Sequence, residues 1–146
     1  MLPRPVQRPR PPLNIAAHGP KTIRLAARYG DGWNTYYPGK DLTPEGASAA
    51  TRQRFDMLCE FADQEGRDPK KIKRTFLAGF SPDKPFVSKN AFQDFIGRYR
   101  EAGINDFVLP YLPDNETGGN YITDCGTLER LAKEQIPELT SDTKIT

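Results

Sequence analysis

Apolar residues along this chain recur at two spacings, every second position and then every third or fourth, and the alternation between them lays out strands and helices in turn. From Leu13 to Ala17 the residues Leu13, Ile15 and Ala17 alternate with Asn14, Ala16 and then His18, which predicts a short strand with its apolar side turned toward a covering helix. That helix runs from Lys21 to Tyr29, with Ile23, Leu25, Ala26 and Tyr29 as its buried side and Gly30 as a left-handed cap. A second strand, Gly32 to Thr35, centres on Trp33. A loop holding Pro38, Gly39, Pro44 and Gly46 leads into a helix from Ala47 to Gln64, whose stripe is Phe55, Leu58, Phe61 and Ala62 with Met57 and Cys59 at its margins. A core-facing role suits that stripe better than a partner-binding one, because strands bracket the helix.

Gly66 closes this helix and Asp68-Pro69 turns the chain into a third strand, Arg74 to Phe80, which alternates little, as a strand covered on both faces does. After the loop at 81–85, Ser88 is an N-cap for a helix carrying Phe92, Phe95, Ile96 and Tyr99 on one face and ended by Gly103. A fourth strand spans Asp106 to Tyr111. The loop from Pro113 to Asn120 either caps a site or moves freely, and a last helix, Thr127 to Gln135, buries Leu128, Leu131 and Ala132 before Pro137 stops it.

Four successive strand-helix units require a parallel sheet with right-handed crossovers. A closed (β/α)8 barrel takes eight such units and about 250 residues. This chain of 146 residues supplies half of that, an α/β half of a TIM barrel. The division is a proline-rich leader at 1–12, a body at 13–136 and a polar tail at 137–146. Such a half exposes two strand edges and an inner face, so it is expected to pair with itself or with another half-barrel, or to be a piece of a longer polypeptide.

Composition narrows the partners. Lys and Arg number 21 against 19 Asp and Glu, a net charge of +2 that selects no polyanion. Arg4, Arg8 and Arg10 lie in the leader without stacking aromatics or a basic helix face, so they read as a solvated arm and no nucleic-acid partner is expected. Cys59 and Cys125 stand 66 positions apart and make neither a metal signature nor a redox pair. No apolar run is long enough for a membrane span and the leader lacks a secretory signal, so the sequence predicts a cytoplasmic protein with reduced cysteines.

The chemistry concentrates in the first turn, His18-Gly19-Pro20. Gly19 permits close approach to the backbone, Pro20 suits a first helical position that needs no N–H, and Lys21 and Thr22 come next with unpaired amides at the positive end of a helix dipole. Such a terminus holds phosphates, and Lys21 and the Thr22 hydroxyl add a charge and a hydrogen bond. A Gly-Pro turn between strand and helix occurs in any α/β protein, so the turn alone leaves phosphate binding and plain chain reversal both open. His18, the one histidine, has no carboxylate or cysteine at ligand spacing, and no metal site is expected.

The stretch PPLNIAAHGPKTIRLAARYGDGWNT resembles the segment that opens the second half of the bacterial-luciferase-like flavin-dependent oxidoreductases, a superfamily with members that use the deazaflavin coenzyme F-420. The resemblance continues through EGRDPKKIKRTFLAGF and YREAGINDFVLPYLP and so covers about Pro5 to Ile136. It implies the last four units of a luciferase-like barrel. It also implies an oxidoreductase or monooxygenase function with FMN or F-420 as cofactor and a small organic substrate. The cofactor-phosphate role falls on Ala17, His18, Gly19, Pro20, Lys21 and Thr22. Asn34, Tyr36 and Tyr111, at carboxyl ends of strands, are expected to line the substrate mouth. Strands that carry much of the family's ring-binding surface have no counterpart here, and the resemblance names no catalytic acid or base. Two alternatives stand beside it: a non-catalytic, truncated half-barrel that self-associates, and a sugar-phosphate or nucleotide-binding protein using the same helix start.

Overall fold

A computed structural model describes residues 6–39, 41–79, 83–110 and 125–141. Four strands, β1 (Asn14–Ala16), β2 (Gly32–Tyr36), β3 (Lys73–Leu77) and β4 (Asp106–Val108), form one sheet in the order β1-β2-β3-β4 with every neighbouring pair parallel. Helices α1 (Pro20–Tyr29), α2 (Pro44–Gln64) and α3 (Lys89–Glu101) make the connections, and α4 (Cys125–Ser141) comes after β4. Sequential order in an all-parallel sheet is what successive barrel units produce, and β1 and β4 are left as its edges.

The core lies between the sheet and the helices. Trp33 and Thr35 of β2, Phe76 of β3 and Phe107 of β4 turn toward the helices, where Leu58, Phe95, Ile96 and Tyr99 meet them. Phe76 packs against the ring of Tyr99 with centroids 3.9 Å apart and against Phe95 at 6.2 Å. The predicted α3 face is buried in full, and the Ser88 hydroxyl accepts from the Ala91 amide at 3.1 Å as its cap.

Alternation puts Ala16, Asn34, Thr75 and Asp106, aligned by register, on the opposite, inner face. The Thr75 hydroxyl donates to Asp106 Oδ2 at 2.9 Å, and Lys73 Nζ stands 3.1 Å from the same oxygen.

Several expectations are corrected. Ile23, Ala26 and Ala27 bury α1, whereas Leu25 and Tyr29 are 50% and 52% exposed, because 100° per residue carries Leu25 some 200° round from Ile23. Leu13 precedes β1 and is exposed. Gly30 is not left-handed: its φ is −75°. It is glycine because a Cβ there would meet the Ala26 and Gly32 carbonyl oxygens at 2.7 and 3.0 Å. The α1 terminus is closed instead by Arg67, which donates to the carbonyls of Ala27 and Gly30 at 2.5 and 2.7 Å.

Helix α2 begins three residues before the expected Ala47, with Thr43 accepting from the Gly46 amide at 3.1 Å as N-cap and Pro44 at the first helical position. The strands end sooner than their apolar runs: β3 stops at Leu77 and β4 at Val108, and Phe80 and Tyr111 lie outside the described residues, as does the loop 113–120. Helix α4 passes through Pro137, which lacks one helical N–H donor yet is fixed at a φ that a helix accepts, and Ala132 is exposed while Leu131 is buried. Arg10 of the leader pairs through Nη1 with Asp31 Oδ2 at 2.6 Å, and the Leu13 amide donates to the same oxygen at 2.7 Å. The backbone bond from Leu13 and then Arg10 hold the Asp31 carboxyl below its ordinary range. Among the described residues no helix is long and apolar enough to cross a membrane.

Candidate functional site

The carboxyl end of β1 runs directly into the start of α1, so the first turn is pinned from both sides. The Ala17 amide donates to the Asn34 carbonyl at 3.0 Å and its carbonyl accepts from Trp33 Nε1 at 2.8 Å. With Trp33 fully buried, that pair fixes the last peptide of the strand. Ala17 therefore acts through its backbone, as a scaffold for the turn at His18 and Gly19.

Gly19 is the N-cap of α1 in an extended conformation, φ −107° and ψ 163°. Its carbonyl accepts from the Ile23 amide at 2.9 Å, and the Thr22 hydroxyl reaches back to it, donating to the carbonyl at 3.0 Å and accepting from the amide at 3.3 Å. The Thr22 hydroxyl is thus already engaged in shaping the helix start. The Lys21 and Thr22 amides find no acceptor among the described residues. They border an open hollow of about 480 Å³ lined by Gly19, Pro20, Lys21 and Thr22, and no heavy atom lies within 4 Å of where a Gly19 Cβ would stand. The helix start is therefore positively polarised, uncapped by any carboxylate in its first turn, and roomy.

His18 sits half-buried before the turn. Its ring meets Tyr36 edge-on with centroids 3.9 Å apart, and Nδ1 is 3.4 Å from the Thr35 hydroxyl. Arg54, on α2, donates through Nη1 to Thr35 Oγ1 at 3.1 Å and to the Tyr36 carbonyl at 3.0 Å. Sequence reasoning did not single out Arg54 or Thr35. The signal was present: Ala47, Thr51, Leu58 and Ala62 are the buried residues of α2, and Arg54 occupies the place in that stripe between Thr51 and Leu58.

Burial, and then the Arg54 charge, push the His18 imidazole below its ordinary value of 6.5. The folded protein therefore binds this proton less readily than the unfolded chain. Stability from this group is complete above about pH 6.5 and is lost as pH falls through the lower folded value. In urea unfolding between pH 7.5 and 5, the wild-type chain should lose more stability than His18→Asn; equal slopes would contradict the assignment.

Asn34 and Tyr36 share the inner face of β2, Asn34 half-buried in register with Ala16 and Thr75, Tyr36 39% exposed and in register with Leu77. The structure brings Tyr36 to His18 and leaves Asn34 one layer deeper. Tyr111 lies outside the described residues. Cys59 is half-buried on α2, and burial raises its thiol pKa.

A strand-turn-helix of this geometry, repeated through a sequential parallel sheet, has counterparts among known proteins. The sequence profile of the luciferase-like monooxygenase family matches residues 1–103, and the chain belongs to that family. No functionally curated protein matches the sequence significantly. Among solved structures, an F420-dependent secondary alcohol dehydrogenase in complex with an F420-acetone adduct superimposes with a TM-score of 0.59 at 21% identity, covering 90% of this chain and 50% of that one. The chain thus spans half the length of that enzyme, and its sheet and helices are a portion of a luciferase-like TIM barrel.

Proposed function

We propose that the chain forms the cofactor-phosphate half of a luciferase-like oxidoreductase that uses FMN or F-420. The observation that carries this reading is the pair of acceptor-free amides at Lys21 and Thr22, in residues that line a hollow beside a glycine that leaves room for an oxyanion. These groups fit the phosphate of either cofactor: two N–H donors, the helix dipole, and the Lys21 ammonium within the same turn. The Thr22 hydroxyl can exchange its bond to Gly19 for one to the phosphate. Asn34 and Tyr36 bound the substrate mouth. When bound, a flavin or deazaflavin supplies the redox chemistry; this chain's residues hold the phosphate, orient the attached group toward the inner face and keep water from it.

The F420-dependent neighbour favours the deazaflavin, and the family's description as monooxygenases favours FMN. Thermal unfolding with each cofactor separates them. The expected result is a rise in Tm that grows with the concentration of one cofactor, about 2.7 kcal/mol at a hundred times its Kd. No shift with either would overturn the reading.

A self-associating half-barrel is favoured by the inner face itself, where Val108 is 45% exposed in register with Leu77, which in turn aligns with Tyr36, and where the β1 and β4 edges remain unpaired within the sheet. Sedimentation equilibrium at tens of micromolar should give a dimer or larger; a monomer throughout would count against association.

A further inference from the structure

The bonds around Thr35 dictate where one proton must sit. Arg54 Nη1 is always a donor, so the Thr35 oxygen accepts from it. The hydroxyl is fully buried, and among the described residues the one acceptor within reach of its hydrogen is His18 Nδ1, at 3.4 Å. If Nδ1 carried a proton, it and Arg54 would both donate to Thr35, and the buried hydroxyl hydrogen would have nowhere to go, a cost of about 1–3 kcal/mol. If Thr35 donates to Nδ1, every group is satisfied.

We propose that Arg54, acting through the Thr35 hydroxyl, fixes His18 as the Nε2–H tautomer, so that the imidazole beside Gly19 meets a bound molecule as a neutral hydrogen-bond donor and not as an acceptor. Arg54 is a positioning residue: it touches Thr35 and the Tyr36 carbonyl, and sets His18 from a distance. Tyr36 packs on the same ring, and Arg54 is the charge that acts on it. The ligand class is then set. Nε2, which has no partner among the described residues, suits a phosphate oxygen, a carboxylate or a carbonyl and disfavours a donor at that place. The ligand part of this inference rests on the proposed cofactor site; the tautomer does not.

Because the chain holds a single histidine, its ring nitrogens give an unambiguous long-range 1H–15N spectrum of the 15N-labelled full chain. At pH 7.5 the expected pattern is an unprotonated Nδ1 and a protonated Nε2. Thr35→Val and Arg54→Met should each shift the ring toward a mixture of tautomers, while Thr35→Ser, which keeps the hydroxyl, should retain the wild-type pattern. Circular dichroism confirms that each variant is folded, and Thr35→Ser keeps the test decisive if Arg54→Met is not. A protonated Nδ1 in the wild-type chain, or a Thr35→Val spectrum identical to it, would overturn the proposal. With FMN or F-420, Arg54→Met should weaken binding about twofold in the wild-type background, because an even mixture of tautomers halves the donor-competent population, and not at all beside His18→Ala. An equal loss in both backgrounds would overturn the ligand part. Loss of cofactor binding in Gly19→Asp with an unchanged tautomer pattern would leave the phosphate site standing on its own, so the two failures are distinct.

Discussion

Gly19→Asp is expected to leave the chain folded and slightly more stable while abolishing its stabilisation by FMN or F-420. The two effects have opposite sign for one reason, the charge and shape of an N-cap. Gly19 has an ordinary extended backbone and open space where a side chain would go, so aspartate enters without strain. Aspartate caps a helix a few tenths of a kcal/mol better than glycine and favours the positive end of the dipole, which should raise Tm by about 1–2 °C. The same carboxylate occupies the hollow and repels a phosphate. A wild-type gain of about 8 °C at a hundred times Kd should therefore vanish. If Gly19→Asp retained the gain, the anion would have to bind elsewhere; if the variant unfolded, the extended, uncrowded turn at Gly19 would be wrong.

Gly103→Ala is the second large effect, and it is a test of the fold. Gly103 lies just beyond α3 with φ +96°, and a Cβ there would overlap the ring of Phe55 from α2. Left-handed strain of about 1–2 kcal/mol adds to overpacking of about 1–3 kcal/mol, together about 3 kcal/mol against a total stability of about 5–15. Gly66 is the control. It has the same sign of φ, +66°, yet nothing lies within 4 Å of its would-be Cβ. Gly66→Ala should cost about 1 kcal/mol, from backbone strain alone. Thermal unfolding of the two variants should differ by about 5–8 °C. Equal losses would mean that α2 and α3 do not approach at Gly103.

The contrast between these two glycines shows what the sequence could and could not reveal. Both were legible as helix ends, because glycine after an apolar-periodic stretch is a local signal. Their different costs were not, because Phe55 is brought to Gly103 only by the packing of α2 on α3. Gly30 carried the same local signal and proved extended, required for a close approach of carbonyls and not for a left-handed turn.

The parallel pairing of the four strands, the buried face of α3 and the strand-turn-helix at Gly19 could be read from spacing alone. The start of α2 was hidden, since Pro44 and Gly46 carry loop composition even though proline at a first helical position costs nothing. The Arg54–Thr35–His18 chain was hidden for a different reason: it joins three elements, and only a charge in an apolar stripe hinted at it.

Tyr111, expected to line the mouth, lies outside the described residues, as do Phe80 and the loop 113–120, so the substrate side rests on Asn34 and Tyr36. The family itself was legible from the AAHGPKT turn together with the LAARYGDGWN and YREAGINDFVL stretches, whose combination constrains a backbone far more than any one of them.

The whole functional account depends on phosphate reaching the backbone amides that open α1. Titration of the 15N-labelled chain with FMN and with F-420, followed in a 1H–15N amide spectrum, observes those amides one by one. The account predicts that the largest shifts fall on Lys21 and Thr22, with smaller ones at Gly19 and Ile23, saturating together at a single Kd. Shifts confined to other parts of the chain while Lys21 and Thr22 stay in place would contradict it.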